Sequence, residues 1–248
     1  MNVKVMSTAL LVLALASPGV ANASTEVVTV QATSAPTSAG KTVSVNCPNG
    51  TKVVGTGGAV TGERTTITRV RPSDDLTSAE VTAVEHGAGT VLPWTVTVRA
   101  TCAPGEFTLV SKSGTNNAEA ACPGTKKALG VGGETAGGHF TKMAPKSNLK
   151  SGLVETSGGD VTAHAICGTR PGLVLRGGTP TVVVTKTASK SVACQGDEQV
   201  ISAGGAVGGG IIEDVTPAGA GATVTGEGTD AQGQAIRWSI TPYVVCSQ

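Results

Sequence analysis

Apolar and polar residues alternate with a period of two along much of this chain. In Thr95-Val-Thr-Val-Arg-Ala-Thr-Cys102, Val96, Val98, Ala100 and Cys102 share one face, while Thr97 and Arg99 share the other. Alternation of this kind predicts half-buried β-strands. Thr65–Val70 and Ala79–Val84 carry the same rhythm, and Phe107–Val110 and Thr181–Thr185 show shorter strand-like patches. The strands are short and lie between glycine-rich turns, which predicts an all-β protein.

A threefold repeat organises these strands. Three segments open with a cysteine (Cys47, Cys122, Cys194), place an aliphatic residue seven positions later (Val54, Leu129, Ile201) and a Gly-Gly pair from ten positions later (Gly57, Gly132, Gly204). Pro72, Pro145 and Pro217 follow at comparable distances. Each copy also closes alike. Trp94 to Cys102 aligns with Trp238 to Cys246, and Gly159 to Cys167 is the middle copy with glycine in place of tryptophan. Arg99, His164 and Tyr243 then share one column. Each repeat begins and ends on a cysteine, so the expected disulfides are Cys47–Cys102, Cys122–Cys167 and Cys194–Cys246. The Gly-Gly pairs read as strand ends or bulges and not as ligand cradles.

Residues 41–248 are thus expected to form one domain of three repeats, about 41–104, 109–171 and 182–248, each with four strands between or around its cysteines. A pseudo-threefold β-prism-like fold accommodates units of this length. A β-trefoil is the alternative. The openings Cys47-Pro-x-Gly50 and Cys122-Pro-Gly124, with the Gly-Gly pairs that follow, resemble the vitelline membrane outer layer protein I family. That resemblance implies the β-prism and no particular activity. The Cys-Pro-x-Gly strand with trailing glycines also looks like secreted proteins of filamentous actinobacteria.

Composition adds the compartment. Lys4, the apolar run Ala9–Ala16 and Ala21-Asn22-Ala23 read as a secretory signal peptide over residues 1–23. Residues 24–40, rich in Ser, Thr and Ala, read as a flexible or extended lead. Six cysteines, all downstream of the signal, suit an oxidising, extracellular location. No later segment is long and apolar enough for a membrane span. Removing Lys4 from 18 basic residues leaves 17 against 17 acidic ones. A nucleic-acid ligand is not expected from a chain with no basic surplus.

The chemistry that can be read is sparse. Charged residues make up 14% of the chain and aromatic ones 2%. Ser157-Gly-Gly159 and Thr162-Ala-His164 imitate serine-protease boxes, but their order and eight-residue spacing do not fit a triad. The three histidines have no metal-ligand spacing, and no cofactor is expected. The acidic third repeat (Asp197, Glu198, Glu213, Asp214, Glu227, Asp230) leaves a calcium site open. A basic link at 168–193 faces it in charge. The candidate binding residues are Trp94, Trp238, Tyr243, Arg99 and His164, with both tryptophans on the face shared with Val96. The expectation is a secreted binding protein and not an enzyme, lectin-like or associated with the cell envelope, its partner a cell-surface glycan. The alternative is a structural or adaptor subunit of a secreted assembly, holding a protein partner through the N-terminal lead.

Overall fold

The computed structural model describes residues 26–230 and 232–248, so the signal segment lies outside the described residues. The fold is all-β, with seventeen strands and no helix among the described residues. The lead contributes β1 (Val28–Thr33). The first unit contains β2 (Lys41–Asn46), β3 (Lys52–Thr61), β4 (Thr65–Pro72), β5 (Ser78–Glu85) and β6 (Thr95–Ala103). The second contains β7 (Thr108–Ala121), β8 (Lys127–Ala136), β9 (Phe140–Pro145) and the long β10 (Ser151–Gly168). The third contains β11 (Val174–Gly177), β12 (Thr181–Val183), β13 (Thr187–Ala193), β14 (Gln199–Gly208), β15 (Ile211–Ala218), β16 (Gly221–Glu227) and β17 (Trp238–Ser247).

Three cystines tie these units as the repeat implied: Cys47–Cys102, Cys122–Cys167 and Cys194–Cys246, with Cα atoms 5.7, 5.5 and 5.8 Å apart. Four strands per repeat is too few. In every unit a further strand precedes the opening cysteine, and another pairs with the closing strand. β2, the second half of β7 and β13 line β5, the first half of β10 and β16. β1, the first half of β7, and β11 with β12 line β6, the second half of β10 and β17. Without them those five strands would each present a bare edge of unpaired N–H and C=O groups. Val28–Thr33, expected within a flexible or extended lead, is thus an extended strand matched residue for residue from Val28↔Cys102 to Thr33↔Thr97.

No unit keeps its strands to itself. β4 pairs with β8 of the second unit, β9 with β14 of the third, and β15 with β3 of the first. The result is one six-stranded sheet (β1-β6-β3-β15-β16-β13) and one eleven-stranded sheet, neither closed into a barrel. The larger sheet is continuous because β7 and β10 each run through a corner that the other units break. Gly159 makes this possible in β10: it adopts φ +81° inside the bulge between Glu155 and Asp160, where the sister copies have a tryptophan.

The conserved-looking columns of the repeat now acquire physical causes. Val54, Leu129 and Ile201 are the extra residues of three equivalent bulges, at register shifts between Val53 and Gly55, Ile166 and Cys167, and Val200 and Ser202. All three are fully buried and pack together with Ala103, Leu149 and Val245. The Gly-Gly pairs lie in mid-strand, not at strand ends or bulges. A Cβ on the first glycine would stand 2.5 Å (Gly57), 2.3 Å (Gly132) or 2.9 Å (Gly204) from the carbonyl oxygen of Val215, Val70 or Met143 in the neighbouring unit. The glycines are there because two backbones cross in contact. The second glycine of each pair leaves room for a valine of its own unit, Val81, Val154 or Val224.

Candidate functional site

Outward-facing threonines and serines build a spacious concavity. The half of the large sheet formed by β7, β10, β8, β4, β5 and β2 presents hydroxyls across its outer face, paired strand to strand. Ser113 meets Thr162 at 2.9 Å, and Thr42 meets Thr82 at 2.8 Å. β4 and β8 share only two register pairs, Arg69↔Glu134 and Val70↔Gly133, so the two strands part on either side of that contact. Above it opens a groove of about 730 Å³, walled by Thr42, Thr68, Thr82, Thr162 and Asp160, with Arg69 and Glu134 in its lining. Its lining has no aromatic side chain and few large apolar ones.

The lining charges are pre-arranged. Arg69 Nε forms an ion pair with Glu134 Oε2 at 2.6 Å, and its Nη1 donates to Glu80 Oε1 at 3.1 Å. Arg71 lies 3.9 Å from Glu134 and bonds Asp74 at 2.8 Å. The Asp74 bond is the main reason the Arg71 guanidinium holds its proton more firmly than usual. These groups are half-exposed, so the pairs fix side-chain positions more than they add stability. Asp160 accepts from Thr115 Oγ1 at 3.2 Å, so Arg69 and Asp160 are both held in place within the groove lining.

His164 sits beside this network and is 2% exposed. Its Nδ1 is 2.8 Å from Ser111 Oγ, and its Nε2 is 3.4 Å from Glu134 Oε1, long for a hydrogen bond. Placing the ring proton on Nε2, toward Glu134, makes the Ser111 hydroxyl the donor. The row Ser111, His164, Glu134 looks like a nucleophile, base and acid. It is one rung of a ladder, because directly opposed residues on neighbouring strands bond in the same way at Thr33–Thr97, Thr61–Thr95, Ser189–Thr225 and Ser191–Thr223. In the first unit the equivalent rung is Arg99 Nε donating to Gln31 Oε1. Ser157, of the other protease-like fragment, bonds the backbone of His139 instead.

Burial pulls the His164 imidazole below its ordinary pKa, with Glu134 opposing and Arg71 reinforcing the shift. The unfolded chain therefore takes up a proton near pH 6.5 that the folded chain refuses, and stability falls as pH drops below that value. Thermal unfolding at pH 7 and pH 5 checks this: His164→Gln is expected to lose less stability over the interval than the parent chain.

The other expected site residues are dispersed. Trp94 and Trp238 are 1% and 2% exposed, so neither offers a ring face to a ligand, which corrects their place among the binding candidates. The cause is partnership inside the fold. Trp94 Nε1 donates to Glu85 and lies under the Lys41 ammonium, while Trp238 Nε1 donates to the Thr185 carbonyl at 2.7 Å. Arg99, His164 and Tyr243 are equivalent, as aligned, but stand on β6, β10 and β17, strands that do not neighbour one another. Only His164 adjoins the groove. Tyr243 is half-buried, which raises its phenol pKa, with Glu155 adding to the effect.

The acids of the third unit are largely engaged. Glu198 takes both arms of Arg176, one at 2.8 Å, and is held down to about pKa 2 by that bond and by the Gln195 N–H. The basic link and the acidic repeat thus meet in an ion pair. Asp214 accepts from the Val60 N–H at 2.7 Å, and Asp230 from those of Gln232 and Gln234. Cys194, Glu198 and Cys246 lie close together, but both sulfurs are in the cystine and offer no thiolate.

Arg69, Glu134, Asp160 and the groove threonines were not singled out from sequence. Their one signal is the outward phase of Thr and Ser in each strand, which does not say which strands become neighbours. In comparisons with known proteins, no family model matches this chain and no curated protein is significantly similar to it.

Proposed function

We propose that this chain is a secreted, non-catalytic binding protein, lectin-like or attached to the cell envelope, that holds an extended polar ligand, a cell-surface glycan, along the outer groove. Three disulfide-closed units in a pseudo-threefold, β-prism-like arrangement form its frame. The observation that carries the reading is the groove itself: hydroxyls in rows with Arg69 and Asp160 set among them. Hydroxyls on alternate residues recur about every 7 Å along a strand, a repeat that suits a polymer presenting hydroxyls of its own. Secretion is supported by the leader-like residues 1–23 and by three cystines.

The test is retention of residues 24–248 on insoluble cell-envelope polysaccharides, with competition by soluble fragments. Thr82→Val with Asp160→Asn is expected to weaken retention by roughly tenfold or more, since each lost hydrogen bond is worth about 1 kcal/mol. Retention indifferent to both changes would remove the groove from the account.

An adaptor role is the second reading, and exposed apolar residues favour it. Val91 and Leu92 between β5 and β6 are 93% and 67% exposed, and Val184 is 72% exposed. The lead is not a free arm, because β1 pairs with β6, but as the end strand of its sheet β1 offers its outer edge to a partner. Capture of a stoichiometric protein partner, lost on Val91→Ser with Leu92→Ser, would favour this reading over the glycan one.

A further inference from the structure

The end of the fold where β3 meets β4 and β5 leads to β6 gathers one titratable loop from each unit. His86 follows β5 in the first unit, His139 precedes β9 in the second, and Glu227 ends β16 in the third. The two imidazoles meet edge to face with centroids 5.5 Å apart, and His86 Nε2 lies 3.7 Å from Glu227 Oε2. That distance is too long for a hydrogen bond, and His86 Nε2 and His139 Nδ1 are both buried nitrogens with no hydrogen-bond partner. Thr229 Oγ1 donates to Glu227 Oε1 at 3.0 Å, and Oε2 is the oxygen 3.7 Å from His86 Nε2. Glu213, 8% exposed in the bulge between Ile212 and Asp214, lies on the strand paired with β16 and adjoins Glu227.

None of these residues recurs in the sister copies. Threonine stands at the positions equivalent to Glu213 (Thr68, Thr141), Val84 and Ser157 at that of Glu227, and Thr66 and Ile211 at that of His139. Three independent departures from the repeat meet in one place.

We propose that His86, His139 and Glu227 form a site for a divalent cation of the zinc class, one ligand from each unit, with Glu213 supporting Glu227 behind it. Two imidazoles and a carboxylate are the donor set such an ion prefers, and a second polar side chain beside a ligating carboxylate is an ordinary outer-shell support. Only His86 and Glu227 already stand at pair distance. His139 reaches the ion by turning its side chain, since Ser157 holds its backbone at both N–H and carbonyl. Bound metal pins the three units together at this end.

The test uses tag-free residues 24–248, first treated with chelator. All six cysteines are in disulfides, so no thiolate competes for the metal. Zinc titrated by calorimetry should bind one per chain and raise Tm, and cobalt should give the visible absorption of a low-coordinate nitrogen–oxygen site. His139→Asn and Glu227→Gln should each weaken zinc by more than roughly 100-fold, beyond what loss of an outer-shell partner does. Glu213→Gln should weaken it by about tenfold, and His164→Gln should leave it unchanged. No zinc or cobalt binding by the parent chain at 100-fold excess, or equal loss with His164→Gln, overturns the proposal. Because the groove variants Thr82→Val and Asp160→Asn leave this cluster intact, glycan binding and metal binding fail independently.

Discussion

Gly55→Ala is expected to lower Tm by about 6–12 °C, a loss of roughly 3 kcal/mol in a chain of this size. A Cβ at position 55 would stand 2.1 Å from the Ile201 carbonyl oxygen and 2.7 Å from Ser202 Cβ. Both belong to β14 of another unit, and the nearest atom is backbone, so no rotamer change relieves the clash. The contact is one of a cycle. Gly130 faces the Val54 carbonyl at 2.5 Å in the same way, and at the third position Ser202 Oγ donates to the Leu129 carbonyl at 2.6 Å. Each unit therefore touches the next just past its bulged aliphatic residue, and opening one contact strains the cluster of Val54, Leu129 and Ile201 behind it. Gly158→Ala is the matched control: its Cβ meets nothing within 4 Å and its φ is not in the left-handed region. Thermal denaturation of both variants decides the point. A Gly55→Ala protein with the parent Tm would show that the units do not meet at these carbonyls.

Replacing Cys122 and Cys167 together by alanine should cost about 4 kcal/mol, the chain-entropy value for a 45-residue loop. In Tm that is about 8–16 °C. Both cysteines are nearly or fully buried in the main core, so the alanines leave small voids that add to the loss. This bridge matters because the middle unit supplies β8 to β4 and β9 to β14, and its loosening is felt on both sides. Denaturant unfolding of the double variant, beside the parent protein with its bridges intact, measures the effect. A midpoint shift worth less than 1 kcal/mol would mean that strand exchange alone holds the middle unit.

The two effects show what kind of information the sequence carried. The cystine pairing was legible because each repeat is bracketed by its own cysteines. The inward face of Trp94, Val96 and Val98 was legible because period-two alternation names a face without naming a neighbour. Partners were not legible. β4 pairs with β8 through only two residue pairs, and nothing in Thr65–Pro72 distinguishes a strand that stays in its unit from one that leaves. The Gly-Gly pairs were visible as a column, but their cause, a backbone crossing from another unit, exists only after assembly.

The candidate sites were hidden for the same reason. Aromatic residues seemed the natural binding surface, and the fold uses Trp94 and Trp238 to fill its interior in a chain short of large side chains. The groove is made of threonines whose individual positions look like ordinary outward strand residues. His86 and His139 lie 53 residues apart with no motif between them, yet non-equivalent loop ends of two units bring them into ring contact. Sequence spacing records neighbours along the chain, and where strands are exchanged the neighbours in a candidate site come from different units.

The measurement that tests the central reading most directly is a two-dimensional amide NMR titration of residues 24–248 with soluble oligosaccharide released from the envelope polysaccharide. Shifts confined to the groove, at Thr42, Thr68, Arg69, Thr82, Asp160 and Thr162, are the expected result. Shifts clustered elsewhere, or none at millimolar oligosaccharide, would contradict a glycan-binding groove.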